Sequence, residues 1–521
     1  MKVYESKQKL NQKILSGVEK LCEAVATTLG PKGRNVILHQ KGANPIITKD
    51  GVTVAKFVTF EDPFENAAAQ IIKQASSETN QVAGDGTTTA TVLAYAILSS
   101  AQKHLLAGAS PVSLKRGIDR AVKEIVENLE DVARPVYTEQ EIANVASISA
   151  NNDTTIGKLI ATAIDQVGKD GAITIEEANS VQTSLEVVEG FQIGSGYLSP
   201  MFITDERRVT MKHSNALILV TDESIEGVED ILPVLELVSR DGRPLIIVAE
   251  SIEGQALAAL VMNAARGTMK VAAIKAPCYG EERRNILKDL SLATGATFIS
   301  RESNKTLQGV GLPDLGTAKT VESQKTWTTF VGGSGNYEKI EKRIESLKEE
   351  MSQTEDLQEC ERIQERITKL ASGVAIIRVG GLTEVEMNEK KHRIEDALEA
   401  VKAAQEEGIV GGGGIALLRA SRGIKIHGCN PDERAGMEIV LEAVKQPIRQ
   451  MAINAGNSPD IILAGVLSQK MENGYDFCSG MFVNMIESGI VDPVKVSRAA
   501  LQNAASAAST LLTTNYAIIE I

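Results

Sequence analysis

The chain has 521 residues, enough for about three domains at roughly 100–200 residues each. Aromatic residues make up 3% with a single Trp, so the cores must be built from Ala, Val, Ile and Leu, and a formal net charge of −13 argues against a nucleic-acid binder. Five scattered cysteines without a CxxC pair suggest neither a disulfide framework nor a zinc site, no run of about 18 apolar residues spans a membrane, and Met1–Ser6 lacks the apolar stretch of a signal peptide, so a cytoplasmic or equivalent reducing compartment is expected.

Residues 8–29 predict a helix with an apolar stripe at Leu10, Ile14, Val18, Leu21 and Val25, stopped by Gly30-Pro31. Short strands follow at 36–38 and 45–47, the second running into Asp50-Gly51. From 62 to about 128 the pattern is helical and Ala-rich, broken at Gly84-Asp85-Gly86 and at 108–111. Residues 132–188 are mixed, with strand-like runs at 172–175 and 184–188. From 189 to 335 continuous apolar runs (216–220, 244–248, 271–274) each precede a helical segment, as strands buried on both faces do. Residues 337–370 predict a charged helical hairpin with stripes Ile340/Ile344/Leu347 and Ile363/Ile367/Leu370 and a turn at 352–356. Mixed texture returns at 374–406, and 407–521 is again helical. This A-B-C-B-A order predicts nested domains with the central one inserted.

The best local chemical signal is Gly84-Asp85-Gly86-Thr87-Thr88-Thr89-Ala90-Thr91, running into a helix. Glycines let a polyanion approach the backbone, the helix N-terminus supplies N–H groups and a positive dipole end, and a lone carboxylate suits Mg²⁺ on phosphates. The other reading is a helix capped by its threonines after a turn. Gly411–Gly414 would justify its ordering cost if something lay against bare backbone. Asp50 and Asp396 are carboxylates that could orient an attacking water. There is no GxxxxGK(S/T), HExxH or GxSxG, and His39, His104, His213, His392 and His427 show no ligand spacing and read as structural. Two helices, 228–238 and 251–263, are apolar over more than one face: each is either fully buried or half of a groove for apolar segments of other proteins.

Taken together, Thr28–Asn35, Thr48–Val52, Ala83–Leu93, Val188-Glu189-Gly190, Gly196–Pro200, Thr383–Met387 and Glu395–Leu398 resemble, in wording and order, the group I (GroEL-like, bacterial and mitochondrial) chaperonins over nearly the whole chain. The resemblance implies a multidomain α+β fold. A mostly helical equatorial ATPase domain (1–131 and 407–521) would join a small α/β intermediate hinge domain (132–188 and 374–406) and a centrally inserted α/β apical domain (189–373). It implies Thr28, Leu29, Gly30 and Pro31 along the nucleotide, Lys49 near the phosphates, and Asp85 on Mg²⁺. Gly86, Thr87, Thr88 and Thr89 would cradle phosphates, Thr28, Lys49 and Thr88 would surround a K⁺, and Gly413 and Asp492 would contact base and ribose. Asp50 and Asp396 would be the catalytic carboxylates. Tyr197, Ser199, Met201, Phe202, Leu232, Leu235, Leu257, Val261 and Met262 would form the apical face for non-native polypeptides or a GroES-like co-chaperonin loop. The implied cofactors are ATP, Mg²⁺ and K⁺, and the implied assembly is a seven-membered ring, single or double, with no nucleic-acid or membrane partner.

The chain departs from that family's wording at Ser195 and Gln81, where the family carries Arg and Asp, and at Ser458-Pro459-Asp460-Ile461, where an inter-ring ion pair is lost although Arg449 remains. Met201 replaces an aromatic residue, and Tyr475-Asp476-Phe477-Cys478 departs so far that no base contact is assigned there. Two other readings are a ring-forming scaffold that has lost cycling and a small-molecule kinase using the Gly-Asp-Gly-Thr loop.

Overall fold

The stripe predicted in the first helix, Lys7–Ala26, is buried throughout: Leu10, Ile14, Val18, Leu21 and Val25 all lie in one core. A computed structural model of the chain describes residues 2–39, 45–168, 171–178, 180–206, 208–300, 305–354, 356–371, 373–426 and 429–520; His427 and Glu355 lie outside these. The chain forms two compact units, Met1–Thr162 with Gly381–Ile521 and Ala163–Gly380. The segments expected to make a separate hinge domain divide between them, their helices 139–149 and 384–407 in the first unit and their strands 172–177, 184–188 and 374–379 in the second.

In the first unit, helices Pro63–Ala83, Thr87–Leu106, Pro111–Asp131 and Val494–Leu512 pack around small residues such as Ala94, Ala101, Ala504 and Ala508. Alanine faces let helices approach closely, which is how a core with few aromatics reaches native density. The starts of these helices are written locally. Asp62 accepts from Phe64 N at 2.8 Å and Glu65 N at 3.2 Å, with Pro63 at the first helical position. Thr138 and Glu141 form a reciprocal capping box on helix Glu139–Ser149. The chain termini meet: Lys2–Ser6 pairs antiparallel with Tyr516–Glu520. Val36–Leu38 pairs with Ile46–Thr48, and Ile409–Gly411 with Val491–Pro493.

In the second unit the three apolar runs form a parallel core, Val271–Lys275 beside Leu245–Ala249 beside Met211–Thr221. Gly316–Ser323, Thr328–Gly333 and Gly190–Ile193 extend it antiparallel. Every residue of Leu245–Ala249 is buried, as expected for a strand covered on both faces. Val374–Val379 pairs parallel with Ala172–Glu177 and antiparallel with Ser184–Val188. The predicted hairpin is present as helices Tyr337–Gln353 and Leu357–Ala371, closed by Leu347, Ile363 and Ile367. A buried ion cluster fastens it. Asp289, on helix Gly280–Thr294, accepts from Arg366 Nε at 2.7 Å and Nη2 at 3.1 Å and from Arg343 Nε at 3.2 Å.

Candidate functional site

A cavity of about 540 Å³ opens in the first unit, within the size range of small-molecule sites. One wall is the loop between helices 63–83 and 87–106. Gly84 ends the first helix at φ +71, and Gly86 precedes the second at φ +86 with Val496 Cγ1 only 2.8 Å from where a Cβ would stand. Only glycine takes that conformation without strain. No side chain caps helix 87–106, so the capped-helix reading of this motif is not what the structure holds. Thr87, Thr88 and Thr89 line the cavity at an uncapped helix end, where N–H groups and the dipole favour an anion.

Asp85 is held by both oxygens: Oδ1 accepts from Gly86 N at 2.6 Å and Oδ2 from the Ser149 hydroxyl at 3.1 Å. Burial nonetheless pushes the Asp85 carboxyl above its usual range, and the charge of Asp50 acts in the same direction. Burial, and then the charge of Asp85, pushes Asp492 up to about 7. Asp50 is the N-cap of helix Gly51–Phe57, accepting from Val52 N at 3.0 Å, Thr53 N at 3.1 Å and Thr53 Oγ1 at 2.6 Å. These bonds fix its carboxylate at the cavity wall. A Cβ on Gly412 would stand 2.9 Å from Asp492 Oδ1, so a larger residue there would displace that carboxylate.

Lys49 Nζ donates to Gly30 O at 3.0 Å. Burial first, and the Arg393 guanidinium second, hold its ammonium below the usual range. Thr28 Oγ1 donates to Val25 O and lies 3.3 Å from Thr88 Oγ1. An ammonium has no lone pair for a cation, so in the expected K⁺ set Lys49 would contribute its carbonyl oxygen beside the Thr28 and Thr88 hydroxyls.

Asp396 lies on helix Glu384–Glu407 and lines the same cavity with Glu389, His392 and Arg393. These positions are spaced i, i+3, i+4 and i+7, one face of a helix. His392 is therefore a cavity residue and not merely structural, and that spacing around Asp396 is the signal that reveals it. Leu29, Gly30, Pro31, Gly413 and Asp492 complete the lining, so every predicted nucleotide and catalytic position borders one cavity.

Sequence reading missed Asn144, Ser147 and Ser149 on helix 139–149, and Asn151 and Asn152 after it. It also assigned nothing to Tyr475–Cys478, yet all four residues line the cavity. The Tyr475 ring meets Phe477 edge-on at 5.1 Å and Phe482 at 5.2 Å, which makes this wall aromatic. The donor set is hard oxygen: Asp85 and Asp50 carboxylates with threonine hydroxyls. Hard oxygen donors of this kind suit Mg²⁺ shared with phosphates.

The predicted apical face divides by exposure. Met201 (62%), Leu232 (46%) and Met262 (50%) are exposed, while Ser199, Leu257 and Val261 are half-buried. Tyr197, Phe202 and Leu235, expected on the same face, are instead buried. Leu235 falls with Ile231, Val234 and Val238 on the inward stripe of helix Val228–Asp241. Phe202 closes the turn Pro200–Phe202, which packs against helix Gly254–Ala265. Tyr197 bridges Ile274, with its hydroxyl donating to Val209 O at 3.1 Å. Neither reading of the two helices holds outright: each buries one stripe and leaves an apolar residue outside. Among the described residues no helix is long and apolar enough to cross a membrane.

The sequence profile of the TCP-1/cpn60 chaperonin family matches residues 21–521. The fold is similar to that of the chaperonin gp146 from the bacteriophage EL 2 (Pseudomonas aeruginosa), crystallised in the presence of ATP-BeFx, with a TM-score of 0.68 and 21% identity over 100% of this chain and 99% of that one.

Proposed function

Because this chain belongs to the TCP-1/cpn60 chaperonin family, we propose that it binds and hydrolyses ATP in the cavity of its first unit and uses that cycle to capture, enclose and release non-native polypeptides. One observation carries this reading: Asp50, Asp85 and Asp396 border a single cavity with an uncapped helix N-terminus.

The residues divide the work by chemistry. The first-turn amides and hydroxyls of Thr87, Thr88 and Thr89 bind phosphate oxygens, and Gly86 keeps that surface bare. Lys49 adds positive charge beside them. Asp85 would hold Mg²⁺ with the phosphates, and the ion would supply charge neutralisation on them. Asp50, locked by its capping bonds, orients the attacking water, and Asp396 accepts its proton. Tyr475 and Phe477 offer an apolar wall for the base, beside Gly413 and Asp492. The Thr28 and Thr88 hydroxyls, 3.3 Å apart, would hold a K⁺ next to the phosphates together with Lys49.

Met201, Leu232 and Met262 supply the exposed apolar contacts for clients, and a co-chaperonin loop would compete for them. Nucleotide acts as a switch only if the two states of the apical face differ in client affinity. A ring of seven chains would enclose the client.

The test is phosphate release from Mg·ATP by the purified protein with no acceptor molecule added. Sustained release is the expected result. ADP formed only when a small-molecule acceptor is present, with the phosphoryl group on that acceptor and no free phosphate, would make the protein a kinase, and no ADP or phosphate despite bound nucleotide would make it a scaffold.

A further inference from the structure

We propose that Ser149 is a positioning residue for the metal-holding carboxylate Asp85, a role that rests on the nucleotide reading above. Serines near a helix C-terminus usually bond a carbonyl one turn back, and Ser147 does so, donating to Ala143 O at 2.6 Å. Ser149 does not follow that pattern. Its hydroxyl reaches out of helix 139–149 to Asp85 Oδ2 at 3.1 Å, across 64 residues of sequence. The other carboxylate oxygen is held by the adjacent Gly86 amide at 2.6 Å, a contact built into the loop itself. Rotation of the carboxylate about that anchored oxygen is limited by Ser149.

A further feature makes this bond more than packing. Helix 139–149 packs along helix 384–407, which carries Asp396. The Ser149–Asp85 bond therefore ties the phosphate loop to the pair of helices that presents the catalytic carboxylate. Residues that orient a metal ligand in this way govern metal affinity more than overall stability.

The experiment uses the full chain, a fluorescent non-hydrolysable ATP analogue and a MgCl₂ titration, with a parallel measurement in EDTA and a thermal melt. Ser149→Ala is expected to raise the Mg²⁺ concentration for half-maximal analogue binding about tenfold. It should leave the EDTA affinity and the melting temperature as in the wild type. Ser149→Thr, which keeps the hydroxyl, should restore the wild-type Mg²⁺ dependence. An unchanged Mg²⁺ midpoint in Ser149→Ala overturns the proposal. So does an equal loss of analogue binding with and without Mg²⁺, which would assign the residue to packing, or a failure of Ser149→Thr to restore the midpoint. A wild-type protein whose analogue binding ignores Mg²⁺ would overturn the nucleotide reading as well, and the wild-type titration alone separates that case.

Discussion

Asp396→Ala is expected to slow ATP turnover by about a hundred- to ten-thousand-fold, the range for loss of a general base, while leaving nucleotide affinity near that of the wild type. The expectation follows from where Asp396 sits. It lines the cavity from helix 384–407, whereas the phosphate-loop residues come from the 84–89 segment, so its removal leaves the anion cradle intact. Such a variant should trap bound ATP, visible as a single turnover slowed to the same degree as the steady state. A variant that turns over at the wild-type rate would remove Asp396 from the chemistry. A variant that fails to bind would show that its role is binding or structure.

The largest stability effect is expected far from that cavity, in the second unit. Asp289 has no exposed side-chain surface and carries the paired guanidinium of Arg366 and a bond from Arg343. Removing it leaves two arginines facing each other without a counter-charge, one of them largely buried. Breaking a buried pair in this way costs about 3–5 kcal/mol. Asp289→Ala should therefore lower the unfolding midpoint of the second unit sharply and release the 337–371 hairpin first, as faster amide exchange along it. Arg343→Ala, which leaves the Arg366 pair in place, should cost much less. Equal losses from the two variants would mean that the bidentate pair is not the fastening contact.

Several parts of this molecule are legible from sequence because their causes are local. The 8–29 stripe recurs at helical spacing and lies in the core as predicted. The Gly-Asp-Gly-Thr loop is legible because glycine conformation and helix start are neighbouring residues. Asp50 is legible as a carboxylate beside a turn, although its capping bonds to Val52 and Thr53 are seen only in the structure. Ser149 gave no signal, because a hydroxyl on a helix has no signature of a partner 64 residues away. Glu389, His392 and Arg393 did carry one, their helical spacing with Asp396, which matters only once that helix is placed against the cavity. Helices 228–241 and 254–265 were ambiguous for a physical reason. A helix apolar on two faces does not declare which face the sheet takes, and the inward stripe took Leu235 while leaving Leu232 outside. Tyr197 and Phe202 were misplaced because their burial depends on contacts with Ile274 and helix 254–265, set by the fold and not by neighbours in sequence.

The most direct measurement of the central claim is the recovery of a chemically denatured, aggregation-prone enzyme diluted into this protein. Nucleotide-free protein should suppress its light scattering, and Mg·ATP should then return enzyme activity, with a GroES-like co-chaperonin added in a parallel sample. ATP-dependent recovery in either sample is the predicted result. Capture that ATP never reverses, or aggregation that proceeds as if the protein were absent, would contradict an ATP-driven folding cycle.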